Sequence, residues 1–489
     1  MRHILTPWPN TFRINAGTVF ISAVLSVTVF TAALLYRPLP LWAAPTKNKD
    51  ISNKRIITLQ EAVQRGLTLN RNLLNVSLMV ESSSLNLAAS DADFDLQVRP
   101  YSSISYYSKD NPASWNIGGR LSKRFFNGVV VGLDPGYQYF DDHFNDRVDV
   151  SLDLPLLRGL GKQTARDHFL SAQNQLKANR YSQKTIKVQI VLAIISTFYD
   201  ILREQHLIVL YKEQLTIMNH HLHLVRLQKQ ADIASPMDLY RAEIRRGDIE
   251  DNINSSLERL KDLANILKNM ISLPLSLNLT VTASLEEKPL DTDLELAIQA
   301  ALANRAELQR ADLELQEAYR KQSIAENNLL PDLHLVTEYS YLKEGSNDLS
   351  DQQSERQNIW ALRLEGSTDI TNNNARAAVE QSRLAIQRKR IGYDNTVQSI
   401  SAEIRSIINR LEKIRQRIRL RDEQITQAKG KLGLARIKFK YGEAGNFDLI
   451  EAQNQLQRAK SDHLSERTRY ITEGYRFHGA QGTLLSQFE

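Results

Sequence analysis

The chain has 489 residues, with 62 basic and 56 acidic side chains, no cysteine and a net charge of +6. The lack of cysteine excludes disulfides, thiolate metal sites and a lipid attached through cysteine. So small a positive excess does not indicate a nucleic-acid-binding protein. An aromatic content of 7%, together with plentiful Leu, Ile, Gln, Asn and Arg, favours elongated helices over a compact globule.

Residues 1–44 have the features of a targeting segment. Arg2 and Arg13 precede an apolar run from Ile14 to Leu35, and the small pair Ala43-Ala44 lies before a polar stretch. We expect a secretory signal peptide cleaved near this pair, which leaves 59 basic and 56 acidic residues. The alternative is a retained membrane anchor, because about 20 apolar residues can span a bilayer.

Two short helices are predicted next. Thr58 is a suitable N-cap and Glu61 stands three residues later, as in a capping box. The first helix ends near Leu69, and the second covers about 73–92. The pattern returns at an offset of 235 residues, where 297–308 match 62–73. The front of each half of the chain is therefore duplicated.

After each pair of front helices the hydrophobic period changes from helical to two, which predicts strands. The four predicted strands are 100–107 and 148–154 in the first half, and 333–341 and 359–365 in the second. An additional hairpin, 115–126 and 129–140, turns at Asn127-Gly128 between the first two. The second half has only a polar loop, 343–357, at that place.

Each half then forms one long helical hairpin, whose outward arms end near Gln230 and Tyr441 and whose return arms cover 236–271 and 447–482. About 70 helical residues extend roughly 100 Å. Apolar residues in the second arm alternate in spacing between four and three, a period of 3.5 typical of a coiled coil. They are Ile400, Ile404, Ile407, Leu411, Ile414, Ile418, Ile425, Ala428, Leu432, Ala435 and Phe439. The same construction occurs 210 residues earlier.

The duplication divides the chain after residue 44. We expect a first structural repeat at 45–271, a linker at 272–290 and a second repeat at 291–489. Each repeat holds front helices, strands and a helical hairpin. The linker contains Pro274 and Pro289, and between them we expect a small strand near the middle of the rod.

Export across a membrane, strands with one apolar face and rods far longer than the strands together favour an outer-membrane barrel. A barrel must close, because open strand edges cannot lie in hydrocarbon, and four strands cannot close around water. Either the additional hairpin completes a very small barrel, or several copies each contribute strands. The coiled-coil seams need partners, which favours several copies.

Four short motifs lie at junctions between the predicted elements: 58–62 (TLQEA), 155–161 (PLLRGLG), 331–333 (PDL) and 441–452 (YGEAGNFDLIEA). They resemble those of the TolC-type outer-membrane efflux proteins, and the resemblance covers roughly 56–485. It implies a mostly α-helical fold with a β membrane part: duplicated antiparallel coiled-coil hairpins and strands that contribute to a trimeric, twelve-stranded barrel. The barrel would lie in the outer membrane lipid and the helical tunnel in the periplasm.

By the same resemblance, the protein is the exit duct of a tripartite efflux pump or a type I secretion system. It would be a passive homotrimer, opened at its periplasmic tip by a periplasmic adaptor protein and an inner-membrane transporter.

The resemblance also implies a gate at this tip. Family members carry acidic rings where the second return helix begins, and Asp448 and Glu451 stand at those positions. Repeated threefold, they would surround a narrow mouth with carboxylates and favour cations. On the residues alone, the favoured interpretation is that the two acids complement the dipole of a helix N-terminus; the resemblance is what favours the ring. The Arg and Tyr of the family's lock are replaced by Ala444 and Phe439.

In the first repeat, Asp238 matches Asp448, and Arg241 takes the place of the second acid. We expect Arg241 to pair with a neighbouring carboxylate and to help close the tip. Four residues of the second turn would, by resemblance, contact the adaptor: Tyr441, Gly442, Glu443 and Ala444. Their residue types alone indicate only a turn.

No phosphate-binding loop, nucleophile elbow or metal-hydrolase spacing occurs, so we expect neither an enzyme nor a cofactor. His220, His221 and His223 are close in sequence, but structural zinc needs four ligands and no other His or Cys is near, so we predict no metal site.

The competing class is a coiled-coil scaffold, cytosolic or anchored by residues 14–35. It does not explain two matched sets of strands rich in aromatic residues.

Overall fold

The structure, a computed structural model, describes residues 54–106, 114–140, 143–287, 289–346 and 355–488. The chain divides into two units, of which the second is Asn53–Glu489. All described residues belong to the second unit. The predicted signal peptide, and the alternative of a membrane anchor, lie outside the described residues.

The second unit is mostly helical, with two sheets. Its helices are α1 (Leu59–Leu69), α2 (Arg71–Asp91), α3 (Lys162–Ala165), α4 (Asp167–Gln230), α5 (Pro236–Met270), α6 (Leu294–Asn304), α7 (Ala306–Asn327), α8 (Asn373–Lys440) and α9 (Asn446–Ala480). Its strands are β1 (Lys54–Thr58), β2 (Gln97–Ser105), β3 (Ser114–Arg124), β4 (Val130–Phe140), β5 (His143–Pro155), β6 (Asn278–Thr282), β7 (Asp332–Ser346) and β8 (Glu355–Ser367).

The first front helix begins as its sequence predicts, with one difference. The Glu61 backbone N–H donates to Thr58 Oγ1 at 3.3 Å, so Thr58 is the N-cap. The Glu61 carboxylate instead forms an ion pair with Arg55, a residue of β1, and the reciprocal half of a capping box is not made. The nearby salt-bridge partner therefore displaces the expected contact with the cap backbone.

The linker between the repeats contains a short strand, as predicted. This strand, β6, pairs in parallel with β1, and the buried Ile57 and Val281 stand side by side. The sequence did not predict β1, because five residues that include a Lys-Arg pair give almost no periodic signal.

Two long hairpins, α4–α5 and α8–α9, make up most of the unit. Helices of 64 and 68 residues extend about 100 Å, and the predicted seam of α8 from Ile400 to Ile418 is buried. Among the described residues, one helix, α4, is long and apolar enough to cross a membrane, but 44% of its apolar window is buried in the protein. Part of this window thus belongs to the buried core of the rod.

The front helices pack on the middle of these rods. Ala62 and Val63 of α1 join a buried cluster with Phe198 of α4 and Leu267 of α5. In the second repeat, α6 joins a similar cluster with α8 and the end of α9. The prediction that each front helix lies beside the end of its return arm is confirmed.

The other sheet has six antiparallel strands in the order β2-β3-β4-β5-β7-β8. The predicted strands are present, and β7 and β8 extend to Ser346 and from Glu355, into the stretch expected to be a polar loop. Backbone pairing with β5 and between the two strands holds these polar residues in extended conformation.

The additional hairpin is an integral part of the sheet. The expectation of twelve strands in a trimer counted four strands from each chain, whereas this sheet contains six. Alternation predicts a strand and its apolar face, but it does not predict which strands are neighbours.

Candidate functional site

Both helical hairpins turn through a residue in the left-handed backbone region. This residue is Asp232 (φ 53°) in the first repeat and Gly442 (φ 75°) in the second. The next residue donates its N–H back to the helix: Ile233 to Gln228 O at 2.8 Å, and Glu443 to Lys438 O at 2.9 Å. Glycine suits this conformation because it has no Cβ, and Asp tolerates it. The two turns, 231–235 and 441–445, and the helix ends on either side of them, 218–244 and 436–452, are called the tip below.

Asp238 and Asp448 hold the starts of the two return helices. Asp448 Oδ2 accepts the Gly445 N–H at 3.1 Å. Asp238 Oδ2 accepts the Ser235 N–H at 3.2 Å and its hydroxyl at 2.7 Å. The structure therefore gives both carboxylates a capping role at a helix N-terminus. This role is local, so it is compatible with a second role at a channel mouth.

Glu451 and Arg241 do not take part in these caps. Glu451 lies one turn after Asp448 and is half-buried. Arg241 places its guanidinium 5.4 Å from the centre of the Phe447 ring, and it makes no ion pair with a carboxylate within the described part of the chain. Its predicted pairing with a carboxylate stays a prediction for an assembly of several copies.

The two hairpins of one chain touch each other at the tip. The His221 ring of α4 lies 6.1 Å from the Phe439 ring of α8, and Ile450 of α9 inserts among Met218 and Leu222 of the first hairpin. Burial, with a smaller effect of the neighbouring His220, lowers the pKa of His221. The neutral imidazole is thus the form that this contact favours.

The tip also exposes apolar side chains that the sequence analysis did not select. They are Ile233, Met237, Tyr240, Ile244 and Phe447, with Ile233 76% exposed. Tyr441, which the sequence analysis did select, is 72% exposed beside them in the second turn. These residues lie next to seam positions along the chain, so hydrophobicity alone gives no sign that they face outward. Exposed apolar side chains of this kind are typical of surfaces that contact another protein.

The three neighbouring histidines do not share one environment. His221 is buried, whereas His220 and His223 are exposed. Across the described ranges, no group of three or more His, Asp or Glu residues has the geometry of a metal site.

The six-stranded sheet has one apolar and one polar face. The pairing registers place on one face the residues Val98, Ile104, Trp115, Ile117, Leu121, Val131, Leu133, Tyr137, Tyr139, Phe144, Val148, Val150, Leu152, Leu154, Leu335, Tyr339, Tyr341, Trp360, Leu362 and Leu364. Aromatic rings group at one level of this face, where Trp115 lies 5.2 Å from Tyr137 and 5.6 Å from Tyr139. Such a band is typical of strands at a membrane interface.

Ion pairs and hydrogen bonds cover the opposite face. Arg120 Nε contacts Asp134 Oδ1 at 2.9 Å, and Arg147 Nε contacts Asp149 Oδ2 at 2.6 Å. Ser340 donates to Asp149 Oδ1 at 2.6 Å. A polar face of this kind needs water, and an apolar face needs lipid or a protein core.

A family model described as "Outer membrane efflux protein" matches residues 297–475, most of the second repeat. Residues 297–475 therefore carry the outer membrane efflux protein domain. The predicted family, the passive channel function without enzyme activity, and the outer-membrane localisation with a periplasmic helical part are confirmed. The competing interpretation as a cytosolic scaffold is therefore set aside.

Solved outer-membrane channels share the fold of this efflux protein. The channel OprN is 14% identical with a TM-score of 0.67, and the match covers 87% of this chain and 90% of OprN. CmeC of Campylobacter jejuni is 14% identical with a TM-score of 0.65, covering 91% of each chain. The open state of MtrE from Neisseria gonorrhoeae is 16% identical with a TM-score of 0.66, covering 87% and 89%. A search of curated protein sequences finds no match.

Proposed function

We propose that three copies of this efflux protein form one continuous duct, which a periplasmic adaptor and an inner-membrane transporter open at the tip. The observation that carries the proposal is the combination, in one chain, of a two-faced sheet and two 100 Å hairpins. The sheet supplies part of a wall in lipid, and the hairpins supply part of a wall across the periplasm.

A single copy leaves its sheet open. β2 and β8 are the outer strands, and their free backbone groups could not remain unpaired in hydrocarbon. Pairing with further copies satisfies them, because a closed barrel has no edges.

The rods also need partners. Leu74, Leu78 and Leu85 on α2, and Leu384 and Ile391 on α8, are exposed in the single chain. Their spacings of four and seven place each set along one side of its helix. We assign these stripes to contacts with the neighbouring copies, as in a ring of coiled coils.

The tip supplies the gate and the docking surface. In the trimer, Asp448, Glu451 and Asp238 surround the mouth, and Arg241 pairs with a carboxylate of the next copy. The exposed apolar residues around Tyr441 contact the adaptor, together with the turn residues Gly442, Glu443 and Ala444. The partners of the duct are therefore its own copies, the adaptor, the transporter and the surrounding lipid.

Detergent extraction of the full-length protein from outer membranes tests the assembly. We expect a band of trimer mass that shifts to the monomer on heating, and cation-selective conductance in planar bilayers. A monomer that stays in solution without detergent would contradict the proposal.

A further inference from the structure

We infer that the assembled barrel has eighteen strands instead of twelve, and that the β3–β4 hairpin is part of the wall of a correspondingly wider outer-membrane pore. The inference rests on the threefold assembly proposed above. It is carried by the pairing, the two faces and the anchored turn of this hairpin.

The β3–β4 hairpin separates β2 from β5 along the whole sheet. β3 pairs with β2 from Gln97↔Ser122 to Ser105↔Ser114, and β4 pairs with β5 from Val130↔Asp153 to Phe140↔His143. In a four-stranded arrangement β2 and β5 would be direct neighbours. Here their residues at the same level are three strand spacings apart, about 14 Å.

The β3–β4 hairpin has the same two faces as the other four strands. Ile117, Leu121 and Leu133 continue the apolar face, whereas Asn116 and the Arg120–Asp134 ion pair continue the polar face. A hairpin that extended into water outside the sheet would not need an apolar face. A hairpin that plugged the lumen would bury its apolar face against polar groups. Lipid on one side and water on the other satisfy both.

The turn of the β3–β4 hairpin is anchored at the junction of sheet and rods. The centre of the Phe126 ring lies 4.9 Å from the centre of the Phe94 ring and 5.3 Å from the Arg166 guanidinium. Gly128 has φ 100°, and a Cβ there would lie 2.9 Å from Gly159 O. These contacts fix the hairpin at the level where the neighbouring strands enter the helices.

Strand direction allows the larger barrel to close. The six strands alternate in direction, so β2 and β8, at the two edges, run opposite to each other. β8 of one copy can therefore pair antiparallel with β2 of the next, and three copies give an even number of strands. Barrel diameter grows roughly linearly with strand number, so the pore is about 1.5 times as wide as with twelve strands.

The wider barrel changes where solutes are selected. Barrels of 16–18 strands leave an aqueous channel, so the outer exit would pass molecules too bulky for a twelve-stranded barrel. The size limit of the duct then lies at the helical tip.

Disulfide trapping tests the strand order inside one copy, and the cysteine-free chain gives a clean background. Leu133 and Val150 are direct partners on β4 and β5, and Val98 lies at their level on β2. In membranes, L133C/V150C should oxidise to an intrachain disulfide, whereas V98C/V150C should not. The opposite result would show β2 beside β5 and would overturn the inference.

An image of the detergent-extracted protein by cryo-electron microscopy counts the strands. We expect three copies and eighteen strands. In a second measurement, deletion of 114–142 should lower the radius of the largest polymer that can enter the pore from the outer face by about one third. Three copies with twelve strands would overturn the inference while leaving the duct intact. Two copies with twelve strands would instead overturn the threefold assembly, although the L133C/V150C disulfide would still form.

Discussion

Arg241 of the first return helix lies over the ring of Phe447 at the start of the second, 5.4 Å from its centre. The contact joins the two hairpins of one copy at the tip, next to Asp448, which caps the second return helix. Movement of one hairpin relative to the other must therefore break it. The same guanidinium retains donors that are free to meet a carboxylate of a neighbouring copy.

Removal of this contact should loosen the tip. A cation–π contact at an exposed site contributes about 0.5–1 kcal/mol, and three copies lose it together. We expect Arg241→Ala to increase single-channel conductance and the leakage of bulky antibiotics into cells. Arg246→Ala is the matched control, because Arg246 lies on the same helix and pairs with Glu250 there. Unchanged conductance in Arg241→Ala would remove Arg241 from the gate.

The charge of the acidic residues at the mouth should set its ion selectivity. Asp448→Asn keeps an oxygen that can accept the Gly445 N–H, so the helix cap is retained while the charge is lost. Combined with Glu451→Gln, it removes six carboxylates from a threefold ring.

We expect the double variant to lose most of its preference for cations and its sensitivity to block by divalent ions, measured as reversal potential and as conductance in planar bilayers. Glu250→Gln, three turns along α5 from Asp238, should leave both unchanged. A double variant with the selectivity of the parent would leave Asp448 with its capping role alone.

The helical hairpins and the ends of their arms were predictable from sequence, because a 3.5-residue period persists over ten or more apolar positions from Ile400 to Phe439. The position of the β3–β4 hairpin in the sheet was not predictable. Apolar and polar residues alternate equally well in a strand such as Val130–Phe140 whether it lies in the wall of a barrel or in a separate hairpin.

At the tip, the sequence predicted Asp448 and Arg241 as candidates but not Met237 or Tyr240. Their side chains are apolar like those of the seam residues, but they are exposed, whereas most seam side chains are buried. The contact of Arg241 with Phe447 also depends on the approach of two helices that lie some 200 residues apart in the chain, which no local pattern records.

Acid should weaken the contact between the hairpins at His221. Burial lowers the pKa of this imidazole in the folded protein, so the unfolded chain binds more protons as the pH falls below about 6.5. The stabilisation is therefore present at neutral pH and is lost progressively in acid.

Hydrogen exchange of the tip amides, compared at pH 7.5 and 5.5, measures this effect. We expect the protection factors, which are corrected for the intrinsic exchange rate at each pH, to fall in acid for the parent and for His223→Gln, whose side chain is exposed, but much less for His221→Gln. An equal fall of the protection factors in all three would show that another group controls the tip.

Arg320 should stabilise the junction between the second pair of front helices and the first rod. Its guanidinium contacts Asp167 Oδ1 at 2.7 Å and Glu317 Oε2 at 2.8 Å, and its side chain is only 11% exposed. Burial alone would raise the pKa of Asp167, but hydrogen bonds from Lys321 and Arg320 outweigh it and lower this pKa. The lowered pKa stabilises the fold above about pH 4, and this stabilisation is lost as the pH falls further.

Arg320→Ala leaves two half-buried carboxylates short of a partner, because Lys321 reaches only Asp167. We expect a loss of about 2 kcal/mol, a lower apparent Tm and earlier unfolding in acid. Arg383→Ala breaks an exposed pair with Glu380 and should cost about 0–1 kcal/mol. Thermal unfolding of both variants at pH 7 and pH 4.5 makes the comparison, and equal Tm values at pH 7 would show that the Arg320 cluster does not hold the junction.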